Sequence, residues 1–203
     1  GASVYTVGTS KLKYMRVYEL MEDEELTFVA MPPSLLQFLS PYFGEIHVPK
    51  LKYLIVTAEA ANADLLQRFR ACAPNTEATI YCTAYRIPPE GCKQHNGMIA
   101  IGHPFTGINT MIMDEKETPV QTGEQGELWV SGEQVMQGYW QDEEKSRQVF
   151  ARFNGKEYYK TGDLCSVDSD GDIIYRGRKD YQVKVQGFRV ELSEIEYRTK
   201  KFF

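Results

Sequence analysis

The chain has 203 residues, 42% of them apolar and 25% charged, which suits a globular core and excludes a disordered chain. A formal net charge of −5 offers no electrostatic footprint for nucleic acid or for an anionic membrane. No apolar run approaches the roughly 20 residues that span a bilayer. The opening GASVYTVG lacks the charged and apolar regions of a secretory signal. A cytoplasmic protein is therefore expected, with the cysteines Cys72, Cys82, Cys92 and Cys165 reduced.

Ala2–Val7 is a β-branched and aromatic run ended by Gly8 and reads as a buried strand. From Lys11 to Glu25, Leu12, Met15, Leu20 and Met21 recur with Tyr14, Val17 and Tyr18 at helical spacing, with Ser10 placed as N-cap. Leu26–Met31 is a second strand closed by Pro32-Pro33, and Ser34 is placed to cap a short helix through Leu39. Leu51–Thr57 reads as a buried strand, followed by a helix over Ala63–Ala71 capped by Asn62. Strands and helices alternating at this spacing predict an α/β layer with a largely parallel sheet.

After Thr79–Ile87 and the pair Pro88-Pro89 the style changes to short strands and frequent turns: Met98–Ile101, Asn109–Met113, Gly126–Val130 and Ile173–Tyr175. Asp168-Ser169-Asp170-Gly171 supplies one turn, and one helix falls near Asp142–Phe150. This pattern predicts an antiparallel barrel or sandwich. The expected division is an α/β sheet subdomain over 1–97, a barrel subdomain over 98–180, and the start of a further subdomain over 181–203.

Chemistry concentrates in the stretch from Tyr158 to Glu196. Asp163, in what reads as a tight Thr161-Gly162-Asp163 turn, can accept two hydrogen bonds from a vicinal diol such as a ribose, or can bond its own turn backbone. Arg178 and Lys184 flank a charged point at Lys179-Asp180, and suit either ribose, phosphate or carboxylate oxygens or plain solvation. Thr76 and Glu77, adjacent at a strand start, suit a phosphate and a Mg²⁺ respectively, or an ordinary surface. His47, His95 and His103 are scattered without an acid partner in sequence range, which points to structural roles.

Several segments in order resemble the adenylate-forming superfamily of amino-acid adenylation domains, D-alanine–carrier-protein ligases, acyl-CoA synthetases and luciferases. ELTFVAMPPSLLQFL and LKYLIVTAEAANADLLQRF resemble two of its N-terminal segments. GELWVSGEQVMQGYW is similar to its G-E-L-x-x-x-G motif, and YYKTGDL and GRKDYQVKVQGFRVELSEIE match its last two motifs almost letter for letter. The resemblance implies part of a large N-terminal domain, an α/β layer plus a distorted β-barrel, continuing into the first strand of a mobile C-terminal subdomain. It implies ATP and Mg²⁺, an amino acid or other small carboxylic acid as substrate, and a carrier-protein phosphopantetheine thiol, or CoA, as acceptor.

Residue by residue, the resemblance implies that Asp163 binds the ribose and that Tyr175, Arg176, Gly177 and Arg178 line the nucleotide. It places Ala58, Glu59 and Ala60 near adenine, Thr76 near phosphate, Glu77 at Mg²⁺ and Ile80 at the amino-acid pocket. Asp180 becomes a hinge, and Lys184 lies near the adenylate. The family's phosphate loop falls before Gly1 and its catalytic lysine after Phe203, and only Ala73-Pro74-Asn75 stand where a longer segment precedes Thr-Glu. The implied activity is activation of an amino acid, D-alanine among the candidates, as an acyl-adenylate, with transfer to a thiol; the 203 residues alone are expected not to turn over. An acyl-CoA or aryl-CoA ligase, or a truncated non-catalytic adenylation fragment, are the alternatives.

Overall fold

The computed structural model describes residues 3–7, 13–57, 59–72, 82–88, 91–180, 182–185, 188–191, 195 and 199. Helix α1 (Lys13–Asp23), strand β1 (Phe28–Met31), helix α2 (Pro33–Leu39), strand β2 (Tyr53–Val56) and helix α3 (Ala63–Cys72) form the first half. β1 and β2 run parallel, with Phe28 opposite Tyr53 and Met31 opposite Val56. Their inward residues Val29, Met31, Leu54 and Val56 join Met21, Leu36, Leu39, Leu65 and Phe69 in one buried cluster. Phe43 meets Phe69 edge-on at 5.4 Å inside it.

Three local expectations change. Residues 3–7 are no strand and Val4 is 86% exposed, because no neighbouring strand supplies a ladder for them among the described residues. β2 is half-buried rather than buried, since Tyr53 faces outward. Ser34 is not the N-cap of α2: Pro32 holds that position without a side-chain cap bond. The N–H and Oγ of Ser34 instead donate to Glu59, at 3.0 and 3.1 Å. Asn62 does cap α3, its Oδ1 accepting the N–H of Asp64 at 2.9 Å and of Leu65 at 3.3 Å. Ser10 lies outside the described residues.

The second half is antiparallel. Short pairs come first: β3 (Thr83–Ala84), β4 (Gln94–His95), β5 (Met98–Ile99) and β6 (His103–Pro104), joined as β3–β6 and β4–β5. Gly102 sits at φ 72°, and a Cβ there would lie 1.9 Å from the Ala84 carbonyl oxygen, so this close approach requires glycine. Then come β7 (Asn109–Met113), β8 (Gly126–Ser131), α4 (Glu143–Val149), β9 (Phe150–Phe153), β10 (Lys156–Val167) and β11 (Ile173–Arg178). They form one sheet in the order β11-β10-β8-β7, with β9 also on β10. The expected distorted barrel is this sheet, open between β7 and β11 among the described residues. β12 (Gln182–Val185) and β13 (Phe188–Glu191) form a separate hairpin.

Alternation sorts the sheet's side chains onto two faces. Ile112, Leu128, Val130, Cys165 and Ile173 cluster on one. Met113, Trp129 and Tyr158 cluster on the other. Asp142 caps α4, its Oδ1 accepting the Lys145 N–H at 2.9 Å. Among the described residues no helix is long and apolar enough to cross a membrane.

Candidate functional site

The sequence Thr161-Gly162-Asp163 reads as a turn, but the chain does not turn there. It lies within the 12-residue strand β10 as a bulge. Lys160 stands opposite Trp129 of β8 and Leu164 opposite Glu127, so the three residues 161–163 face Leu128 alone. Gly162 takes φ 74°, and a Cβ on it would lie 2.7 Å from Nη2 of Arg178. Side chains brace the bulge. Thr161 Oγ1 donates to the Leu128 carbonyl at 2.7 Å and accepts the Asp163 N–H at 3.0 Å.

On its other edge β10 carries β9 along Lys156–Tyr159 and β11 along Asp163–Val167, which leaves the bulge in the gap between them. The end of β11 fills part of that gap. Nη1 of Arg178 donates to the Thr161 carbonyl at 2.7 Å and to Asp163 Oδ1 at 2.9 Å. The same guanidinium grips Asp180 two-handed, Nε to Oδ1 at 2.9 Å and Nη2 to Oδ2 at 2.6 Å. Hydrogen bonds to Asp180 and then Asp163 raise the Arg178 pKa against burial, so its charge is fixed at every accessible pH. Its side chain is 19% exposed and that of Asp163 34%. Pairs this exposed contribute about 0–1 kcal/mol, so the arrangement serves geometry more than stability.

A cleft of about 680 Å³ opens at this gap, walled by α4 through Lys145 and Gln148, by Tyr159 to Gly162 of β10, and by Arg178 to Asp180. Burial, and next the charge of Asp163, raise the pKa of Tyr175 and of Cys165, which keeps both neutral beside the site.

The structure thus brings Asp163, Gly177, Arg178 and Asp180 to one end of the β10–β11 hairpin. Tyr175 and Arg176 lie further along β11; Arg176 donates from Nε to Ser166 Oγ at 3.0 Å and from Nη1 to His95 Nδ1 at 2.6 Å. Glu59 sits apart, holding the start of α2, and Ala60 is exposed. Lys184 stands opposite Arg189 in the β12–β13 ladder. Ala58, Thr76, Glu77 and Ile80 lie outside the described residues. Among those described, no group of three or more His, Cys, Asp or Glu side chains could hold a metal ion.

Sequence reasoning missed Glu127. Its Oε1 accepts the Gly162 N–H at 3.0 Å and its Oε2 accepts Nζ of Lys179 at 3.1 Å. The signal available was its place in GELWVSG, a motif given no residue roles.

A family model described as "AMP-binding enzyme" matches residues 1–140. "Novobiocin biosynthesis protein H" of Streptomyces niveus is 34% identical over 97% of this chain, which spans 33% of that protein's length. Two solved structures share the fold. PA1221, "an NRPS protein containing adenylation and PCP domains", superposes with a TM-score of 0.81 at 20% identity, over 92% of this chain and 40% of its own. The Vibrio cholerae adenylation domain AlmE "in complex with glycyl-adenosine-5'-phosphate" gives 0.79 at 23% identity, over 94% of this chain and 38% of its own. The chain belongs to the AMP-binding enzyme family, the adenylate-forming superfamily that its motifs resemble.

Proposed function

We propose that this chain carries the nucleotide-binding part of a ligase that activates an amino acid with ATP. A substrate carboxylate oxygen attacks the α-phosphorus, the bond to pyrophosphate breaks, and an acyl-adenylate forms. A carrier-protein phosphopantetheine thiol then attacks the acyl carbon and AMP leaves. The observation that carries the reading is the partly exposed Asp163 carboxylate, paired on a braced bulge with Arg178, which lines the cleft. A carboxylate there suits a vicinal diol, and a guanidinium 2.9 Å away suits a neighbouring phosphate or ribose oxygen.

Within this reading the residues position and neutralise charge rather than react covalently. Asp163 orients the ribose. Arg178 holds Asp163 and faces the phosphate side. Thr76, Glu77, Ile80 and Lys184 take their roles (phosphate, Mg²⁺, amino-acid pocket, adenylate) from motif position. Asp180, which follows the last strand of the sheet, serves as the pivot between the two half-reactions; 1–97 and 98–180 then form the large domain and 181–203 begin the mobile one. The relatives support the amino acid and the carrier: PA1221 contains adenylation and PCP domains, and AlmE was solved with a glycyl-adenylate.

ATP–pyrophosphate exchange by the full-length protein over a panel of amino acids, D-alanine included, tests the reading. Exchange stimulated by one amino acid, with a raised ATP KM in Asp163→Ala, is the expected result. An unchanged KM removes Asp163 from the ribose. Thioester formation on CoA but not on a carrier protein would reassign the acceptor.

A further inference from the structure

Glu127 is the second residue of β8, opposite Leu164 of β10 and Met113 of β7, an apolar setting for a charged side chain. It is only 12% exposed. Its two carboxylate oxygens go to two different segments. Oε1 takes the N–H of Gly162 at the apex of the bulge, and Oε2 takes the ammonium of Lys179, the first residue beyond β11. Those segments also touch each other, since the Lys179 N–H donates to the Gly162 carbonyl at 2.8 Å. Both backbone groups of Gly162 are therefore tied, one by β8 and one by the chain leaving β11. With its φ of 74° held this way, Gly162 has no freedom to re-aim the next residue, which is Asp163.

We propose that Glu127 is a positioning residue: it sets the orientation of the Asp163 carboxylate by accepting the Gly162 N–H. The proposal rests on the reading of Asp163 as the ribose ligand. Two features of the carboxylate do separate work. Its reach supplies an oxygen to Gly162, and its charge pairs with Lys179. Removing the oxygen leaves a half-buried N–H unpaired and frees the bulge, whereas removing only the charge leaves the N–H satisfied.

The test measures ATP binding to the full-length protein by calorimetry, with the melting temperature of each variant taken alongside. Glu127→Ala is expected to weaken ATP binding about tenfold or more, equivalent to about 1.4 kcal/mol. Glu127→Gln, whose amide oxygen still reaches Gly162, recovers most of the affinity. Glu127→Asp keeps the charge but falls short by one methylene, so it binds ATP more weakly than Glu127→Gln even if Glu127→Ala does not fold. A purely structural role predicts the opposite, with affinity following the melting temperature and no special recovery by glutamine. Wild-type affinity in Glu127→Ala, or Glu127→Asp binding better than Glu127→Gln, overturns the proposal. Asp163→Ala binding ATP as tightly as wild type overturns the ribose reading and this proposal with it. Asp163→Ala weak and Glu127→Ala unaffected overturns this proposal alone.

Discussion

The β10–β11 hairpin carries a cation among aspartates at each of its two ends, and the ends do different things. At the turn, Nζ of Lys93 lies 2.7, 2.7 and 2.5 Å from Asp168, Asp170 and Asp172. At the open end, Arg178 bridges Asp163 and Asp180. The three donors of the ammonium meet three carboxylates. Asp168 is also a turn cap, its Oδ1 accepting the N–H groups of Asp170 and Asp172, both at 2.9 Å. His103 adds a contact to Asp172 at 3.1 Å. That end fastens residues 91–93 to the sheet. The open end has the same kinds of side chain, but there the backbone bulges, the neighbouring strands stop short, and a cleft opens. The proposed binding role goes with the gap in the ladder rather than with the residue types.

The comparison breaks if the turn end contributes to nucleotide binding. Asp163→Ala is expected to raise the ATP KM on the order of 100-fold, from the loss of two charge-assisted hydrogen bonds of about 1.5–3 kcal/mol each partly replaced by water, while Asp168→Asn leaves it unchanged in pyrophosphate exchange. Gly162→Ala forces a side chain into left-handed backbone and against Arg178, at a cost of about 1–2 kcal/mol. Its ATP KM rises about tenfold, and urea unfolding reports the lost stability.

Lys93→Met sharpens the contrast from the other side. It lowers the melting temperature, since three carboxylates then repel one another, without changing the ATP KM. It also changes the response to acid. Burial works against the Asp168 carboxylate, but the Lys93 hydrogen bond and the N–H groups of Asp172 and Asp170 outweigh it and hold its pKa below the usual 3.8. A depressed carboxylate contributes stability above its unfolded value and loses it as pH falls through the folded one. The urea midpoint of the wild type therefore drops more steeply below about pH 4 than that of Lys93→Met. Trp140 is 89% exposed, so Trp140→Ala shifts stability by less than about 0.5 kcal/mol.

What the sequence made legible was local. Asn62 caps its helix as its chemistry dictates, and the strands read as Asn109–Met113 and Gly126–Val130 match those observed nearly to the residue. The family motifs brought Asp163, Arg178 and Asp180 to attention together. The bulge was not legible, because Thr-Gly-Asp serves a turn and a bulge equally well and the choice is made by register with β8. Glu127 was hidden for the same reason: its partners are 35 and 52 residues away. Lys93 finds two of its three acids 77 and 79 positions on. Nothing in a strand's own alternation announces such pairings.

The size of the bulge has a consequence of its own. Three residues of β10 stand where one would, so the insertion is two, an even number. Parity along the strand is therefore conserved: Tyr158 before the bulge and Leu164 after it share one side of the sheet, Tyr159 and Cys165 the other. The residues of the proposed site are spliced into the strand without the cores on either face registering them. A chain lacking one residue of 161–163 would present Cys165 to the wrong side and undo the packing around Leu128. One lacking two would keep both cores and lose only the site.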